Sequence, residues 1–308
     1  MKVPKVTPIK EIESDPKSIV IAVTTKYPNW HKGRSLDISN TDKVRGDLGI
    51  QTIDATIRHG YTVVVNDGDS SGEFKDELSK RGIVVLERIG KSRATARRQL
   101  IEYCSHVPGA KVIVRMEPEK VSLVKNCIPQ LAEPILRNEA EVVVPKRRQD
   151  LFSSSYPNYM YRSEMYANKK YNDILHEFKI LPSEEEFDFF FGPVVFSNKP
   201  NILKLFLENF KVRLKKEPVI GARRYLDPQD FSNPQILGIV KALYMGIKVK
   251  SIEVPFRYPI TQKENELINK VSFMQKRKRQ KWENLDDLVE FIKYLNNPKE
   301  PNNVLIEK

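Results

Sequence analysis

Two hydrophobic periods alternate along the chain: unbroken apolar runs, and stretches with apolar residues three or four apart. Ser18–Thr25 (SIVIAVTT) predicts a strand buried on both faces. Gly46–His59 places Leu48, Ile50, Ile53 and Ile57 at helical spacing, and Gly60 closes it. Tyr61–Val65 predicts the next strand, Asn66–Ser70 a turn cluster, Glu73–Arg81 a short helix and Ile83–Leu86 a third strand. Then come a helix over Arg93–Cys104, a strand over Lys111–Met116, a helix over Val121–Asn138 despite Pro129 and Pro134, and a strand over Glu141–Val144. Val and Ile runs separated by helices are the pattern of parallel βαβ units covered on both faces. Ligands of such units sit beyond the carboxyl ends of the strands.

After residue 150 the texture changes. Ser153–Tyr171 is rich in Tyr, Ser, Asn and Met, so Tyr156–Tyr171 offers either half-buried packing or a sugar-stacking surface. Glu184–Glu186 is acidic, Gly192–Ser197 resumes strand character and Pro200–Phe210 reads as a helix. Pro234–Met245 is an apolar helix ended by Gly246, Ile247–Val254 alternates as a late strand, and Leu285–Leu295 is a terminal amphipathic helix.

Composition narrows the class. The chain has 308 residues, 40% hydrophobic and 30% charged, enough for a substantial core in a soluble globular protein. No apolar run approaches the ~18 residues of a membrane span, and the stretch MKVPKVTPIKEIESDPKS has no signal-type apolar core. Cys104 and Cys127 form neither a disulfide framework nor a metal-site spacing, so the expected compartment is reducing and cytoplasmic. His31, His59, His106 and His176 show no paired spacing. A formal charge of +12 calls for an anionic partner: a phosphorylated substrate, an anionic membrane surface or a nucleic acid. Zinc-finger and RNP1 patterns are missing from the sequence, which disfavours nucleic acid. Basic residues gather at Lys146–Arg148 and at Lys276–Arg279 with Lys281. The second cluster suits donor phosphates, a membrane surface or plain solvent.

Four features fall at predicted strand ends. Thr24 and Thr25 follow the first strand, and Asn66-Asp67-Gly68-Asp69-Ser70-Ser71 follows the second. Asp67 reads either as a turn residue or as an acceptor for a ribose hydroxyl or base N–H. In Gly90–Arg98, Ser92 is an N-cap candidate, and Arg93 and Arg97 share a helix face. Cations at a helix amino terminus oppose its dipole, so an anion such as a diphosphate would offset the cost. Glu117-Pro118-Glu119 ends the fourth strand. Alternate residues of an extended segment point the same way, which makes the two carboxylates a candidate clamp for Mg²⁺ or Mn²⁺.

In this order and spacing, NDGDSS, GKSRATARRQ, the paired acids and EVVVPKRR resemble the nucleotide-sugar-binding half of GT-A glycosyltransferases, family 2 especially, over about Ser18–Arg148. The resemblance implies an α/β, Rossmann-like, mostly parallel central sheet flanked by helices. Residues 18–148 would form the nucleotide-sugar half and 149–296 the acceptor-side half of one domain, with 1–17 and 297–308 as loosely held ends. It implies a hexosyl transfer from a UDP- or GDP-sugar, with Asp67 at the nucleoside, Thr24 near the base, Arg93 and Arg97 by the diphosphate, and Glu117 and Glu119 in the metal-binding D-x-D position. Here that motif reads E-P-E. Asp230 or Asp227, ahead of the Pro234–Gly246 helix, would activate the acceptor. A non-catalytic nucleotide-sugar or nucleic-acid binder on the same scaffold is the rival. A sugar-phosphate nucleotidylyltransferase is disfavoured, because Thr24–Trp30 lacks a glycine-rich loop.

Overall fold

The computed structural model describes residues 15–33, 37–90, 92–212, 234–296 and 304–307. The first half runs β1 (Ile19–Thr25), α1 (Thr41–Arg58), β2 (Thr62–Asp67), α2 (Gly72–Ser79), β3 (Val84–Glu87), α3 (Arg93–Ser105) and β4 (Val112–Met116). Then follow α4 (Val121–Asn126), α5 (Ile128–Leu136), β5 (Val142–Arg147), α6 (Gln149–Ser155), α7 (Asn158–Glu177) and β6 (Val194–Ser197). The remaining elements are α8 (Pro200–Leu207), β7 (Asn209–Val212), α9 (Pro234–Tyr244), β8 (Val249–Val254), α10 (Ile260–Ile268), α11 (Lys270–Asn296) and β9 (Val304–Glu307).

Seven strands form one sheet in the order β3-β2-β1-β4-β6-β5-β8. All neighbours are parallel except β6, which runs antiparallel to both β4 and β5. The unbroken apolar run of β1 has its predicted cause: Val20 and Ala22 enter one core, Ile19, Ile21 and Val23 the other. Helices α3, α8, α9 and the second half of α11 cover the first face, and α1, α2, α4 and α5 the second. Among the described residues no helix is long and apolar enough to cross a membrane.

Three local outcomes differ from the sequence reading. The helix expected over Val121–Asn138 breaks at Cys127, because Pro129 lies at the start of α5, where its missing N–H costs least. The terminal helix starts fifteen residues before Leu285, at Lys270, so the basic cluster is helical. Val304–Glu307, expected within a loose tail, pairs antiparallel with β7.

Reversal of β6 matters for the site. An antiparallel strand begins where its parallel neighbours end, so the segment leading into Val194 lies beside the residues that leave β4 and β5.

Candidate functional site

At the carboxyl end of β1 and β2, Asp67 is buried and locked in place. One of its oxygens accepts from the Thr25 hydroxyl at 2.7 Å and the Ser70 hydroxyl at 2.5 Å, the other from the Ser70 N–H at 3.0 Å. Ser70 Oγ in turn accepts from the Tyr27 N–H at 2.8 Å. Asp67 therefore ties two strand ends together. Thr24 is half-buried next to it.

Beyond β4 the chain enters a polar cleft with a cavity volume of about 230 Å³. Arg93 and Arg97 reach it from the first turns of α3, whose N-cap Ser92 accepts from the N–H groups of Ala94 and Thr95, as the sequence indicated. Glu117, Glu119 and Lys120 enter from the β4 end, Arg45 from α1, and Lys276, Arg277 and Gln280 from α11. Four of the sequence-identified residues, Arg93, Arg97, Glu117 and Glu119, thus share one cleft. Thr24 and Asp67 do not line it. Asp227 and Asp230 lie outside the described residues.

Each acid of the E-P-E segment faces an arginine. The buried Arg115 donates to Glu117 Oε1 at 3.1 Å and to the Gly192 carbonyl at 3.4 Å. Glu117 Oε2 is buried without a hydrogen-bond partner, pressed against Gly192 at φ +105°. A Cβ on that glycine would fall 2.5 Å from Oε2. Burial pushes the Glu117 carboxyl up, but Arg115, Lys120 and Arg97 outweigh it and hold the group below its ordinary range. Glu119 is buried, 3.7 Å from Arg45 Nη1 and 3.5 Å from the Tyr27 hydroxyl that donates to it.

This donor set does not fit a resident divalent cation as arranged. One oxygen of Glu117 is engaged by Arg115, and Glu119 lies 3.7 Å from Arg45. Among the described residues no group of three or more His, Cys, Asp or Glu side chains could hold a metal ion.

The cleft is cationic. Seven of its lining residues are Arg or Lys (45, 93, 97, 120, 147, 276 and 277), against three glutamates (117, 119 and 164). Burial pulls the Arg97 guanidinium down to about 9, and Arg115 adds to the effect. Burial also pulls Lys276 down to about 8, with repulsion from Arg45, Arg277 and Arg93 in support. An anion beside Arg97 and Lys276 would relieve that cost, whereas Arg45, Arg147 and Arg277 are already held charged by carboxylates.

The rear wall is a buried ion network that the sequence did not reveal. Arg147, the last residue of β5, donates from Nε and Nη2 to the two oxygens of Asp188, at 2.7 and 2.8 Å, and from Nη1 to Glu164 at 2.5 Å. Its guanidinium carbon lies 3.6 Å from the Phe152 ring centroid. Asn168 adds a 2.6 Å bond to Asp188, and Arg277 Nη1 lies 3.3 Å from Glu164. On the other side, buried Glu266 accepts from the Tyr258 hydroxyl at 2.7 Å and Arg45 at 3.2 Å. Partners 17, 41 and 221 residues apart leave no local pattern. A sequence signal existed only for Arg115, a charge inside the apolar run VIVRM.

No family model matches the chain, and no curated protein matches it. Solved structures do. Mannosyl-3-phosphoglycerate synthase from Rubrobacter xylanophilus superposes with a TM-score of 0.50 over 94% of this chain and 83% of its own, at 10% identity. The chain has a GT-A-type fold. Glucosyl-3-phosphoglycerate synthase from Mycobacterium tuberculosis, in complex with Mn²⁺, UDP and glucosyl-3-phosphoglycerate, matches at TM-score 0.47 and 10% identity over 84% of this chain and 80% of its own. In the GT-A-type frame the cationic cleft opens beyond the carboxyl end of β4, on the side of the sheet where such folds take ligands.

Proposed function

We propose that this protein transfers a sugar from a nucleotide diphosphate sugar to an acceptor hydroxyl. The observation that carries the reading is the convergence of Arg93, Arg97, Lys120, Lys276 and Arg277 on one cleft at the end of β4 of a GT-A-type fold. In the reaction the bond between the anomeric carbon and the diphosphate oxygen breaks, the acceptor oxygen bonds to that carbon, and the acceptor proton passes to a base. The developing charge on the leaving diphosphate is the group to be stabilised, and fixed cations in a partly desolvated cleft do this without reorganisation. Arg97, Lys276 and Arg277 are assigned that role. Arg93 stands at the rim, and Asp67 holds the β1 and β2 ends where the nucleoside would lie. Asp230, with Asp227 second, is proposed as the acceptor base. UDP- and GDP-hexoses are the first donors to try.

The test is a thermal-shift panel of UDP-, GDP- and ADP-sugars, each with Mn²⁺ and with chelator, followed by donor hydrolysis. One nucleotide sugar should stabilise the fold and be turned over slowly. Asp230→Asn should keep that stabilisation and lose transfer. Stabilisation without turnover by any acceptor would leave only a binding protein, and no response to any nucleotide would sink the proposal. Stabilisation and turnover that vanish with chelator would show that a divalent metal is required.

A further inference from the structure

The first four turns of α11 have two faces. Lys276, Arg277 and Gln280 line the cleft, and Phe273 is buried. The opposite side presents large apolar side chains to solvent: Val271 is 72% exposed, Met274 45% and Trp282 48%. At 100° per residue these three fall within one outward sector of the helix. The end of α10 extends the patch with Ile268, 60% exposed, and Leu267. Scattered exposed apolar residues are ordinary, but five of them within the sixteen residues 267–282 are a local concentration.

The charges around the patch say what that surface is. Lys270, Lys278 and Lys281 fall on the outer side of the helix, while Arg279 pairs with Glu283 at 3.6 Å. Lys270, Lys278 and Arg279 are exposed beside the apolar strip. Lys281 lies over the rings of exposed Tyr166 and Trp282, at 4.8 and 5.2 Å from their centroids. Shallow apolar side chains, aromatic rings at the edge and flanking lysines are the composition of a surface that rests in a bilayer interface.

We infer that the α10–α11 face docks the protein on an anionic lipid surface. The apolar side chains enter the headgroup boundary, and Lys270, Lys278 and Lys281 meet the anionic headgroups. The inference does not depend on the transferase reading. It uses the outer face of α11, whereas the proposed donor site uses the inner one.

Flotation of the full chain with phosphatidylcholine vesicles, with and without phosphatidylserine, tests it. Binding should require phosphatidylserine and weaken steeply with salt. Lys270→Gln and Lys278→Gln should each weaken it about five-fold, the equivalent of roughly 1 kcal/mol per basic residue near an anionic membrane. Val271→Ser combined with Met274→Ser should weaken it at unchanged charge. Melting temperature and nucleotide response, measured on the same variants, should stay at the wild-type level, since none of the four residues lines the cleft. Absence of vesicle binding, or binding indifferent to phosphatidylserine and to both sets of variants, would overturn the inference. So would a concentration-dependent dimer in sedimentation that the Val271→Ser, Met274→Ser variant abolishes, because a second copy would then cover the patch.

Discussion

Lys276→Met should make the empty protein more stable and the liganded protein harder to form. Lys276 shares the cleft with Arg45, Arg93 and Arg277, and burial with that repulsion takes its ammonium from the ordinary 10.5 to about 8. That fall corresponds to about 3 kcal/mol. Lys276 is half-buried, so solvent screening reduces the figure to roughly 1–2 kcal/mol. Replacing the ammonium with an apolar chain of similar length relieves the repulsion, and the melting temperature should rise by about 2–6 °C. The sign with pH is fixed. Between about 8 and 10.5 the unfolded chain holds the proton that the folded one has lost, so wild-type stability gains on the variant as pH climbs through that window. The advantage of the variant is full below about pH 8 and gone near 10.5. Donor binding moves the other way, because a diphosphate loses a charged contact. Titration calorimetry with the responding nucleoside diphosphate should find affinity about ten- to a hundred-fold weaker. A variant that melts at or below wild type, with unchanged nucleotide affinity, would refute the reasoning at both ends.

Two further substitutions probe the frame of the cleft. Gly192→Ala combines a φ of +105° with a Cβ 2.5 Å from Glu117 Oε2, so it should cost about 2–3 kcal/mol in urea unfolding and weaken nucleotide binding by displacing Glu117 from Arg115. Asp188→Asn leaves Arg147 buried with half its bidentate partner and should cost about 3–5 kcal/mol. The double variant Arg147→Met, Asp188→Leu should cost less than the sum of its single changes, as measured by a denaturation cycle.

Legibility of the sequence followed the range of the interactions. Strands β1, β2, β4 and β5 were readable because both faces are apolar and the runs show no alternation. The pairs Arg93/Arg97 and Glu117/Glu119 were readable because their spacing is local. Direction was not: nothing within GPVVFS distinguishes an antiparallel β6 from another parallel strand. Helix α10 and the first half of α11 escaped the periodicity because their inward faces are polar, carrying Gln262, Asn265 and Glu266 in one and Lys276 and Arg277 in the other. A helix that lines a polar cleft has no apolar stripe to detect. For the same reason the basic run 276–281 read as one feature, although the fold divides it, with Lys276 and Arg277 turned to the cleft and Lys278 and Arg279 to solvent.

The reversed strand β6 has a further consequence. Because it starts at the rim where β5 stops, everything between Arg147 and Val194 leaves the sheet and returns to it at the same edge. Helices α6 and α7 and the Phe187–Gly192 turn therefore form one excursion that feeds both cores and is clipped at its base by the Arg147–Asp188 pair. One wall of the cleft thus comes from this single excursion, while the opposite wall is set by α1, α3 and the end of β4.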